Sequence, residues 1–162
     1  MLKFISLLMN IRGNKMDKLD KKILKELQLD SRNSFTKIAQ RIGVSTATVS
    51  DRVKKLTEKG IICGYTVVLN TSELGMVTLI TKIKTKPGYN SIEEVGEAVA
   101  EMAKSCCVHQ VTGDCDLIVI SKCAGYEECG IIIEKMKEIE GVESMDAELV
   151  LKTMKEELKV EL

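Results

Sequence analysis

Apolar residues recur at helical spacing in the first third of the chain and at alternate positions over much of the rest. Ile23, Leu24 and Leu27 form one helical stripe, with Asp20 placed to cap it. The polar run Asp30-Ser31-Arg32-Asn33-Ser34 breaks that helix. Ser34 can cap a second one, whose inner face is Phe35, Ile38, Ala39 and Ile42. Gly43 follows where a left-handed turn residue costs least, and Ser45 can cap a third helix running to about Lys59. Gly60 stops it, and Ile61, Ile62, Tyr65, Val67 and Leu69 read as extended chain.

The pattern then changes period. Val77, Leu79, Thr81 and Ile83 alternate with Thr78, Ile80, Lys82 and Lys84, a strand ended by the chain's single proline in Lys86-Pro87-Gly88-Tyr89-Asn90. Ser91 is placed to cap a helix with Ile92, Val95, Val99 and Met102 on one face. Two strands follow, Cys107 to Thr112 and Leu117 to Lys122, joined by Gly113-Asp114-Cys115-Asp116. A helix from about Tyr126 presents Cys129, Ile132, Ile133, Met136 and Ile139, Gly141 stops it, and Ser144 to Leu151 alternates as a last strand. The order βαββαβ predicts a ferredoxin-like sandwich with both helices on one face of an antiparallel sheet. A second copy would cover the other face, which predicts a homodimer.

In the first part, Ala39, Gly43 and Val49 have the spacing of a helix-turn-helix: Ala lets helices cross closely, Gly makes the turn, and Val pins the third helix. On a helical wheel with Val49 at zero, Val53 falls at about 40° and Leu56 at about −20°, so these three face inward. Ala47, Asp51 and Lys54 fall opposite, flanked by Thr48, Ser50 and Lys55. Thr46, Ala47, Thr48, Ser50 and Asp51 are short enough to enter a major groove. Their hydroxyls can meet base edges, Ala47 a thymine methyl, and Asp51 a cytosine amine. Ser34, Lys37, Arg52, Lys54 and Lys55 are the candidate phosphate ligands. The plainer reading of the same residues is a three-helix bundle with a solvated basic face.

Charge sharpens this division. Residues 1–72 carry fourteen Lys and Arg against six Asp and Glu, whereas residues 73–162 carry ten against eighteen. The net charge of zero therefore hides +8 and −8, and the basic part is suited to a polyanion. Cys63, Cys106, Cys107, Cys115, Cys123 and Cys129 form no CxxC pair and there is one His, so no metal site and no cofactor is expected. With no secretory signal they read as reduced thiols in a cytoplasmic protein, serving mostly as small buried hydrophobes. The apolar run Phe4 to Met9 is too short for a membrane span, and residues 1–15 are set aside as a leader or arm. In the 113–116 loop, glycine-turn amides can hold a carboxylate and two Asp can receive an ammonium, which together suit an amino acid. An ordinary hairpin turn fits the same residues equally well. His109, among apolar neighbours in a strand, reads as structural.

At this point the chain resembles the Lrp/AsnC, or feast/famine, family of transcription regulators. The resemblance spans about Met16 to Lys152. It is carried by LDKKILKELQLDSRNSFTKIAQRIGVSTATVSDRVKKLTEKGIICGYTVVLN, VTGDCDLIV and IEGVESMDAELVL in the expected order. It implies an α+β protein: a winged helix-turn-helix over 16–65, a hinge strand and linker over 66–75, an effector-binding and oligomerisation domain over 76–152, and a charged tail over 153–162. It implies a duplex operator, pseudo-palindromic for a twofold dimer, with assembly into tetramers or octamers. An amino acid effector would sit at Thr112, Gly113, Asp114, Cys115 and Asp116. Relatives often have an aromatic residue at the Cys115 position, and their recognition helices vary widely. The Lys- and Cys-rich composition fits an anaerobic thermophilic archaeon, where such a regulator would work beside the basal transcription machinery. Two rival readings are a ligand-binding module without DNA contact and an enzyme resembling haem-pathway decarboxylases. The second would need basic residues gathered in the second domain, which has no Arg.

Overall fold

The computed structural model describes residues 16–88, 92–102 and 104–162. The chain divides into two compact units. The first comprises the described residues up to Val67 together with Glu157–Leu162, and the second runs from Val68 to Glu156.

The first unit holds three helices, α1 (Lys18–Leu29), α2 (Phe35–Ile42) and α3 (Thr46–Glu58). Their apolar stripes meet in one cluster in which Ile23, Ile38 and Val49 are wholly buried and Leu24, Leu27, Ala39, Val53, Leu56 and Ile62 nearly so. Fully burying each of the larger side chains contributes roughly 1.5–3 kcal/mol. Ser34 caps α2 and Ser45 caps α3, each hydroxyl accepting the amide three residues on. Gly43 ends α2 in the left-handed region at φ 74°.

Two expectations need correction here. The cap of α1 is Asp17, and Asp20 is the third helical residue, returning a bond to the Asp17 amide in a capping box. Both acids thus serve the helix start, and the residue one turn earlier supplies the N-cap. The second concerns the chain after α3. Gly60 (φ 68°) donates to Thr57 O at 2.9 Å and Ile61 to Leu56 O at 2.9 Å, a Schellman closure that folds Ile61 and Ile62 back on the core. Beyond them no strand forms over 63–70, and Tyr65, Val67 and Leu69 are exposed. Strand propensity alone does not make a ladder when the unit offers no strand beside it.

The second unit is a four-stranded antiparallel sheet in the order β2-β3-β1-β4, with β1 Val77–Thr85, β2 Ser105–Gln110, β3 Leu117–Cys123 and β4 Val142–Leu149. Helices α4 (Ile92–Ala100) and α5 (Tyr126–Lys137) cover one face, burying Leu79, Ile83, Leu117, Val119 and Cys123 beneath Val95, Val99, Cys129, Ile132 and Met136. The Ser91 cap lies outside the described residues. Strands β2 and β4 begin and end about two residues earlier than alternation predicts. A register shift falls between Ser105 and Cys107, another falls between Lys84 and Thr85, and Leu151 is fully exposed. On the face without helices, Lys82 stands opposite Asp146, Lys84 opposite Ser144 and His109 opposite Ile118.

Candidate DNA-reading helix and effector loop

The α2-turn-α3 segment is held by local chemistry. Ala39 is buried where the helices meet, Gly43 makes the turn, and Val49 is wholly buried. That arrangement leaves Thr46, Ala47, Ser50, Asp51, Lys54 and Lys55 exposed. Thr48 is half-buried: its amide donates to Ser45 Oγ at 3.0 Å, and the two hydroxyls lie 2.8 Å apart. Thr48 is thus partly engaged in closing the start of the helix. Lys54 lies 4.0 Å from Glu58, both well exposed, a contact worth little in solvent. Lys37 is exposed, and Ser34 Oγ accepts the Lys37 amide at 3.2 Å.

Arg52, a candidate phosphate ligand, is engaged within the protein. Its guanidinium bonds Asp17 and Asp20 at the start of α1, the latter at 3.1 Å. The caps on Asp17 (the Asp20 amide first, then Arg52) hold its carboxyl below the ordinary range, and the two carboxylates push Arg52 up. The wheel explains the geometry: Arg52 sits about 40° from Leu56, beside the core rather than opposite it. No sequence spacing reveals this pairing, because the acids lie 35 and 32 residues upstream.

In the second unit the loop Thr112–Asp116 follows β2, with Gly113 at φ 124°. Asp116 is bolted to β1. Its Oδ2 accepts Thr85 N at 2.8 Å and Thr85 Oγ1 at 2.9 Å, and its own amide donates to Ile83 O at 2.9 Å. Of the two acids expected to receive an ammonium, Asp116 thus has its Oδ2 committed to fastening the loop. Thr112 and Gly113 are exposed. Asp114 and Cys115 line an open pocket of about 520 Å³ with Lys82, Lys84, Ser144 and Asp146. Lys82 Nζ lies 2.7 Å from Glu148 Oε1, which raises the lysine's pKa. The four strand residues were not among the sequence candidates. Alternation does place Lys82 and Lys84 on the helix-free face, but bringing Ser144 and Asp146 beside them takes the β1–β4 pairing. His109 is exposed on this face rather than packed among apolar neighbours. All six cysteines are free thiols, but only Cys123 and Cys129 are the small buried hydrophobes expected of most of them: Cys115 is half-buried, and Cys63, in the segment after α3, and Cys106 and Cys107, on the edge strand β2, are exposed. No group of three metal-binding side chains occurs among the described residues. No described helix is long and apolar enough to cross a membrane.

Comparison with known proteins agrees with this architecture. Residues 16–62 match the winged helix-turn-helix DNA-binding family and residues 78–160 the Lrp/AsnC ligand binding domain. An HTH-type transcriptional regulator of Pyrococcus abyssi is 37% identical over 147 residues, covering 90% of this chain and 99% of the relative. The regulator Ptr1 of Methanocaldococcus jannaschii is 35% identical over 147 residues, covering 90% and 98%. Among solved structures, a transcriptional regulator of Neisseria meningitidis in complex with L-Met superposes with a TM-score of 0.80 at 20% identity, covering 91% and 97%. The fold, the two matched domains and the similarity to these regulators lead to one conclusion: the chain belongs to the Lrp/AsnC family and is a DNA-binding transcriptional regulator.

Proposed function

We propose that α3 enters the major groove of an operator duplex, with Thr46, Ala47, Thr48, Ser50 and Asp51 toward base edges and Ser34, Lys37, Lys54 and Lys55 toward phosphates. The observation that carries this reading is the exposed side of α3, where short polar residues and two lysines stand opposite a buried Val49–Val53–Leu56 stripe. Two copies pair through the helix-free sheet face, so the operator has twofold symmetry with half-sites spaced by whole turns. In the pocket beside Asp114, Lys84 and Lys82 face an effector carboxylate, Asp114 and Asp146 its ammonium. The ligand-domain match supports a small-molecule effector, and a protein of this fold holds L-Met.

Selection of bound sequences from a random duplex pool, with and without amino acids, tests the reading. A symmetric consensus is expected. In salt titrations Lys54→Ala and Lys55→Ala should each flatten the slope of log affinity against log salt by about 0.9, weakening all duplexes alike. Asp51→Ala should instead change preference at one base, by roughly 1–3 kcal/mol. Unaltered binding in all three variants would remove α3 from the interface.

A further inference from the structure

The Arg52 contact has a geometry that a chance surface ion pair does not need. One nitrogen, Nη1, bonds Oδ2 of Asp17 and Oδ1 of Asp20. The second oxygen of each acid is committed to the start of α1. Asp17 Oδ1 accepts the Leu19 and Asp20 amides at 2.8 Å each, and Asp20 Oδ2 accepts the Asp17 amide at 3.2 Å. Each carboxylate therefore divides itself between the helix cap and the guanidinium. The Asp20 side chain is only 11% exposed and Arg52 34%, so solvent screens this pair less than the other α3 pair, Lys54 with Glu58. The rest of the α1–α3 contact is aliphatic, Ile23, Leu24 and Leu27 in a cluster with Val49, Val53 and Leu56. Such packing is strong but non-directional, whereas a charge-assisted hydrogen bond fixes orientation.

We propose that Arg52 is a positioning residue: tied to the Asp17–Asp20 cap, it sets the rotation of the recognition helix about its axis and thereby which bases that helix reads, and it binds no phosphate. The proposal rests on α3 being the reading helix. Losing the tie leaves the number of neutralised phosphates unchanged but lets the base-facing side chains shift, so selectivity falls while the salt dependence stays.

The test measures affinity for the selected operator and for a random duplex over a salt series, using the full chain below its melting transition. Five variants are compared: Arg52→Gln, Arg52→Lys, Asp17→Asn/Asp20→Asn, Arg52→Gln combined with that Asn pair, and Lys54→Ala as reference. Asn still caps a helix, so the paired Asn variant removes the tie while keeping α1. Arg52→Gln and the paired Asn variant should each lower the operator-to-random ratio by roughly tenfold, as expected for losing one base contact. Combining them should lower it no further, Arg52→Lys should restore part of the ratio, and all slopes should equal the wild type's. If Arg52→Gln flattens the slope by about one unit, or the paired Asn variant binds as well as or better than wild type, Arg52 is a phosphate ligand and the proposal fails. If Lys54→Ala changes nothing either, it is the groove-docking reading that fails.

Discussion

Asp114 and Asp116 are chemically identical and two positions apart, yet only Asp116 is fastened by its carboxylate to a neighbouring strand. Asp116 satisfies the amide and hydroxyl of Thr85, so Asp116→Ala strands both donors and should destabilise the second unit by roughly 1–3 kcal/mol in urea unfolding. Asp114 is exposed, and its replacement by Ala should change stability by less than about 0.5 kcal/mol while abolishing the heat of amino acid binding in calorimetry. Comparable destabilisation by both variants would refute this division. The sequence marks the loop through Gly113 and its acids but cannot separate them, because the distinction depends on the end of a strand about thirty residues earlier. Arg52 shows the same limit. Its residue type suits phosphate, and only partners far upstream reveal its engagement. By contrast Ser34, Gly43, Ser45 and Gly60 act within a few residues of themselves, so composition and spacing were enough to place them.

Helix α1 illustrates how an element's start carries a pH dependence. Amide donors and Arg52 hold the Asp17 carboxyl below its ordinary value of 3.8. The folded state therefore binds that proton less readily than the unfolded chain. The stabilisation is fully present above about pH 4 and is lost as pH falls through the depressed folded value. Asp17→Asn keeps a capping oxygen but cannot titrate, so its stability should fall less steeply below pH 4 than that of the wild type, followed by helical circular dichroism. Parallel curves would contradict the assignment. Elements whose two ends carry their own signals were legible, which is why α2 and α3 fall where the caps put them. The extended 63–70 segment was not: its alternating Tyr65, Val67 and Leu69 describe a propensity, whereas a strand requires a neighbour. The pocket was legible only in part, since Lys82 and Lys84 share a face by alternation, but Asp146 joins them through pairing across the sheet.

The first unit is not one continuous piece of chain. Residues 157–162 return to it, with Gln28 making two bonds to the Val160 backbone, Nε2 to O at 3.1 Å and Val160 N to Oε1 at 2.7 Å. Leu162 joins the apolar cluster of the three helices. A chain stopped after Glu156 should therefore melt its helical unit earlier, by the equivalent of about 1–3 kcal/mol for the lost side-chain burial and hydrogen bonds. Gln28→Ala should reproduce a fraction of that loss. A truncated protein with an unchanged helical melt would show that the returning segment adds nothing to the unit. The same return path bears on how this module could be moved to another protein. A DNA-reading module grafted at a single crossover near Val67 would arrive without its own closing segment and inherit one shaped for other helices. A faithful chimera needs a second junction near Glu156, so two crossovers rather than one are required to move this module intact.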